Sequence, residues 1–106
     1  MLAILAGLAF FQTEYPDLDA LRRRAAVQPA VVRDFIVRRA NCNHWLGEEP
    51  YDDERRRDIM RALTELGCST IDGEEIFLRR HFADRDETLA LLLETRDLSA
   101  GDVIGW

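Results

Sequence analysis

The chain has no lysine: all fourteen of its basic side chains are arginine. That excludes Schiff-base chemistry and the lysine of a phosphate-cradling P-loop. Serine is almost as scarce. Ser69 and Ser99 are the only two, and neither stands in a Gly-x-Ser-x-Gly turn, which argues against a serine hydrolase. Only two cysteines, two histidines and three prolines occur in 106 residues. No apolar run reaches the roughly 20 residues that a bilayer-spanning helix needs. Nor is there an internal repeat, a low-complexity linker or a period-two strand pattern to compete with helices.

What remains describes one domain of ordinary hydrophobic content. Its net charge of −6 disfavours nucleic acid, which calls for a basic surface. Arg22-Arg23-Arg24 and Arg55-Arg56-Arg57 are local exceptions. Asp52-Asp53-Glu54 precedes the second and cancels much of its field, so both are read as solvated helix faces.

Residues 1–12 form a hydrophobic leader, read as a signal peptide with a cleavage point after Ala9. The basic region that normally precedes such a run is missing, and a start codon assigned too late would explain that. The alternative is a native N-terminal helix, which would make the protein a cytosolic adaptor with reduced cysteines.

Residues 13–97 are expected to form an all-α domain, four short helices in a small orthogonal or irregular bundle. Thr13 to Pro16 is turn-like, and Asp17 can cap a short helix through about Ala26. From Ala30 to about Trp45, Val32, Phe35, Ile36 and Ala40 make one apolar stripe. Val31 and Val37 widen it, while Arg33, Asp34, Arg38 and Arg39 lie mostly off it. Gly47 is expected to end this helix at positive φ. Pro50 keeps residues 48–52 in a loop. Asp52 or Asp53 then caps a helix to Leu66, with Ile59, Met60, Leu63 and Leu66 on one face and Gly67 as its stop.

Asp72 with Glu75, and Asp84 with Glu87, have the spacing of capping boxes for two further helices. The first carries Leu78 and Phe82, the second Leu89, Leu92 and Leu93. Residues 98–106, with two glycines, read as a frayed tail.

The residues with chemical potential crowd into Cys42 to Asp53. Two cysteines in a short chain with an export signal read as one disulfide, Cys42 with Cys68. Two buried free thiols are the alternative. His44 and Glu48, at i, i+4, could offer metal ligands with Cys42, or with Glu49 form a small metal- or carboxylate-dependent enzyme. A closed metal site needs four ligands, and an EF-hand needs an order of acids that is absent. His44 is therefore read as a hydrogen-bonding residue that orders the loop, through backbone or Glu48. With Trp45, Gly47 and Glu48 it makes a structural motif. Glu48, Glu49, Tyr51, Asp52 and Asp53 make a candidate surface for a cationic envelope protein, since acids beside aromatic anchors suit binding. No catalytic residue, metal or cofactor is assigned.

The stretch Cys-Asn-His-Trp-Leu-Gly-Glu-Glu-Pro-Tyr-Asp, followed by Arg55, Ile59 and Cys68, resembles an uncharacterised group of small exported proteobacterial proteins. They share a Cys-x-His-x-x-Gly-Glu core, a second cysteine after an intervening helix, and a later Leu-x-x-x-Tyr/Phe helix, here Leu78 and Phe82. The likeness covers about Ala30 to Leu93. It implies an envelope location and a paired-cysteine helical fold, and no activity. A fainter similarity is to lysozyme-inhibitor-like helical domains, which also have paired cysteines and short helices. An acidic exported domain attracts a cationic partner, and lysozyme-type enzymes are strongly basic, so inhibition of one is the sharpest functional expectation. The leading expectation is broader: an exported, non-enzymatic, protein-binding or structural domain without a stable membrane span.

Overall fold

A computed structural model describes residues 16–106. The leader, its cleavage point and the turn from Thr13 lie outside the described residues, apart from Pro16. Among the described residues the fold is all-α, with no strand. The described residues hold five α-helices rather than four: α1 (Leu18–Ala26), α2 (Ala30–Leu46), α3 (Asp53–Leu66), α4 (Ile71–His81) and α5 (Asp86–Glu94). Short 3₁₀ turns cover Cys68–Thr70 and Ala100–Val103. No described helix is long and apolar enough to cross a membrane.

The short helix expected after Asp17 forms as Leu18–Ala26 and is a full member of the bundle, which brings the number to five. Asp17 caps it, its carboxylate accepting from the Ala20 N–H at 3.0 Å. Leu21 and Ala25 seal it into the core. Arg24 then reaches α5, donating to Glu87 at 2.6 Å and to Glu94 at 2.6 and 3.2 Å.

α2 is the central element. Its stripe of Val32, Phe35, Ile36 and Ala40 is buried as its spacing implies, while Val31 is half exposed. Against it pack Leu21 and Ala25 of α1, Ile71 and Leu78 of α4 with Phe82 just beyond, and Leu91 and Leu92 of α5.

Arg39 departs from the expected pattern. It lies in the buried stripe, only 9% exposed, and its guanidinium meets Glu75, 6% exposed, at 3.3 Å. Arg39 also donates to Asp72 at 2.9 Å, and Arg79 bonds the other oxygen of Glu75 at 3.2 Å. Neither expected capping box forms. α4 begins at Ile71, directly after the 3₁₀ turn, which puts Asp72 and Glu75 inside the helix and in reach of Arg39. α5 begins at Asp86 with Arg85 at the cap position, and Glu87 turns to Arg24.

The face of α5 also differs. Leu91 and Leu92 are buried with Thr88, and Leu93 is exposed. Both buried threonines near here are satisfied. Thr88 donates to Gln28 Oε1 at 2.7 Å, and Thr95 to the Leu91 carbonyl at 2.7 Å.

Residues 98–106 are not a frayed tail. Leu98 and Val103 belong to the core, and Trp106 packs against it. A reciprocal capping box of Ser99 and Asp102 starts the 3₁₀ turn. Asn43 of α2 donates to the carbonyls of Arg96 at 2.9 Å and Leu98 at 2.8 Å, tying this segment down.

Candidate functional site

The Cys42–Cys68 disulfide is present, with Cα atoms 5.7 Å apart. Cys42 stands on the last turns of α2, and Cys68 follows the Gly67 that ends α3. Gly67 adopts φ 69°, the left-handed conformation that favours glycine. The bond ties the 3₁₀ turn that follows α3 to the last turns of α2, and the segment it encloses carries the loop of residues 47–52.

Four side chains brace the start of that loop. His44 Nε2 lies 3.3 Å from one oxygen of Glu48, and Arg55 Nη2 donates to the other at 3.1 Å. The Arg55 guanidinium sits 5.3 Å from the Trp45 ring centroid. His44 and Trp45 meet edge to face at 5.4 Å. His44, Trp45 and Glu48 are therefore brought together as the sequence motif implies, and Arg55 completes the group.

Gly47 is a correction. It caps α2, its N–H donating to the Asn43 and His44 carbonyls at 3.2 Å, but with φ −87° and ψ −5°. This is right-handed backbone open to any residue. An added Cβ would sit 3.5 Å from those two oxygens, an ordinary contact. A positive φ is unnecessary here because the loop leaves α2 without reversing on the glycine itself.

The other end of the loop is fixed by Asp52, whose carboxylate accepts from the Arg55 N–H at 2.7 Å. That carboxylate is occupied as the cap of α3. Of the five candidate binding residues, Glu48 and Asp52 are thus engaged internally. Glu49, Tyr51 and Asp53 remain exposed. Tyr51 is 78% exposed. It borders a shallow depression of about 230 Å³ with Asp52, Glu54, Arg55 and Asp58. The surface so formed is an aromatic ring beside three carboxylates and the Arg55 guanidinium, on a loop pinned at both ends.

No group of three or more metal-ligating side chains gathers among the described residues. At the proposed ligands, Cys42 sulfur is covalently bound and Glu48 already faces an arginine.

A second surface was not foreseen. Val31, Phe35, Phe77 and Leu78 line an open groove of about 490 Å³ between α2 and α4. Asp34 and the Arg38–Glu74 ion pair edge it. The guanidinium of Arg38 holds the Glu74 carboxyl below the usual carboxylate range. The sequence signal was present in Val31, which widens the apolar stripe beyond what the core can cover.

Comparison of the chain with protein-family models, with curated proteins and with solved structures gave no match.

Proposed function

We propose that this chain is a small exported, non-enzymatic binding domain of the bacterial envelope that docks a cationic protein through the loop Glu48 to Asp53. The observation that carries the reading is Tyr51, largely exposed and bordered by three carboxylates, Asp52, Glu54 and Asp58, against one guanidinium, Arg55, which is itself bonded to Glu48. A large exposed aromatic on a pre-ordered loop supplies contact area at little entropic cost. The acids around it attract positive charge, and the net charge of −6 acts in the same direction. Glu48, His44, Trp45 and Arg55 are the support for this surface, not the contact itself.

The test is capture of partners from a native envelope extract by the wild-type protein and by a Tyr51→Ala/Glu49→Gln/Asp53→Asn variant. These three positions leave the Asp52 cap and the Glu48 brace intact. A basic protein should be retained by the wild type at low salt and lost from the variant. Equal retention by both would place the contact elsewhere.

A further inference from the structure

We infer that the Cys42–Cys68 disulfide is a latch, open to thiol–disulfide exchange with a dithiol protein at Cys68, whose reduction frees α3 while the rest of the domain stays folded. The latch does not depend on what the acidic loop binds. The fold itself is unevenly packed. The main apolar cluster draws on α1, α2, α4, α5 and the C-terminal segment, and includes no residue of α3. The fourteen-residue α3 buries only Ile59.

The polar contacts of α3 are equally local. Arg55 bonds Glu48, Arg61 bonds Asp58 and Thr64 bonds the Met60 carbonyl. Among the described residues, Arg56 pairs only with Asp53. Among the described residues, no side chain of α3 hydrogen-bonds to α1, α4 or α5. Packing on α2, the Arg55 brace and the disulfide therefore hold it. A helix of this length is marginal in water without tertiary packing, so losing the covalent tie matters more here than elsewhere in the chain.

The two sulfurs are unequally placed. Cys42 is 1% exposed, whereas Cys68 is partly exposed. Cys68 also lines an open groove of about 340 Å³ with Leu46, Met60, Leu63, Thr64 and Ser69. Leu46 and Met60 are both more than half exposed there, giving an incoming protein an apolar footing beside the bond.

A partner thiolate attacks Cys68 Sγ, forming a mixed disulfide and expelling Cys42 as thiolate. The partner's second thiol then attacks its own sulfur in that bond and expels the Cys68 thiolate. Two electrons pass to this chain, its two sulfurs take up the two protons, and the partner leaves as a disulfide.

Hydrogen exchange read by mass spectrometry tests the latch, with dithiothreitol as the dithiol probe on the native protein. Exchange in residues 53–66 should rise at least tenfold on reduction, while residues 32–40 and 88–95 change less than twofold. A Cys42→Ser/Cys68→Ser variant should give the same pattern without reductant. Reduced glutathione followed by alkylation should place the glutathione on Cys68 and the alkyl group on Cys42. Unchanged exchange in α3, loss of protection in all helices together, or a bond that dithiothreitol reduces only in denaturant would overturn the latch. Glutathione on Cys42 would overturn the assigned point of attack.

Discussion

Arg39 of α2 and Glu75 of α4 face each other at 3.3 Å, each about nine-tenths removed from solvent. Each stands where its helix's apolar register demands a hydrophobic residue. Arg39 follows Val32 by seven and Phe35 by four, and Glu75 follows Ile71 by four and precedes Leu78 by three. Asp72, Arg79 and the more distant Arg96, at 4.0 Å, surround the pair. The pair thus fixes how α4 lies on α2.

Removing Arg39 takes from Glu75 its buried counterion and leaves it to the more exposed Arg79 and the more distant Arg96. Arg39→Ala is expected to cost about 2–3 kcal/mol, near or below the low end for a broken buried pair because Arg79 still bonds Glu75. Arg39→Met with Glu75→Leu is expected to cost much less, or to stabilise. Denaturant melts of the three proteins measure this. A double variant as unstable as Arg39→Ala would contradict it.

The two glycines at helix ends should behave differently. Gly67 at φ 69° has nothing within 4 Å of an added Cβ, so Gly67→Ala pays only for the backbone conformation, on the order of 1 kcal/mol. Gly47→Ala, at right-handed φ, should be neutral or mildly stabilising. Thermal melts of both variants decide it, and the reverse order would refute the assignment of which glycine turns the chain.

The disulfide closes a loop with a separation of 26 residues. In the chain-entropy model, a loop of this size stabilises by about 3–4 kcal/mol. Alkylation of denatured, unreduced protein should label neither cysteine. Reduction should lower the denaturation midpoint by a corresponding amount.

Acid should weaken the contacts made by Glu74 and Glu94. Arg38 lowers the first and Arg24 the second below the ordinary carboxylate value of 4.5. The folded state therefore binds fewer protons than the unfolded one. Their contribution is fully present above about 4.5 and is lost as the pH falls through the depressed folded values. Both carboxylates are substantially exposed, so the effect is small and salt-sensitive. Urea midpoints at pH 6 and pH 3 should converge for wild type and Glu94→Gln as the pH drops. A gap that widens toward acid would contradict the sign.

The stripe of α2, the stop at Gly67 and the pairing of Cys42 with Cys68 were legible in the sequence, because spacing and scarcity specify them. Helix α5 was harder. Leu91-Leu92-Leu93 offers no period to choose a face, and two threonines that bond inward complete the buried side. The Arg39–Glu75 pair was hidden because charge was taken to mean exposure. The signal lay in two opposite charges each occupying an apolar register. Asp72 with Glu75 misled for a related reason: a capping spacing was read where tertiary ion pairs claimed the same carboxylates. Ser99 with Asp102 carried the real box, masked by the glycines around it. At the site, the brace by His44 and Glu48 was visible from their spacing, while Arg55 joins it only because the start of α3 lies against the end of α2.

The binding surface itself is tested most directly by calorimetric titration with a strongly basic lysozyme-type enzyme as the cationic probe, at two salt concentrations. The wild-type protein should bind at low salt and weaken as salt rises, since surface charges steer the encounter. The Tyr51→Ala/Glu49→Gln/Asp53→Asn variant should lose at least tenfold in affinity with its melting temperature unchanged. Wild-type and variant isotherms that coincide, or no heat from the wild type at micromolar concentration and low salt, would contradict a cation-docking role for this loop.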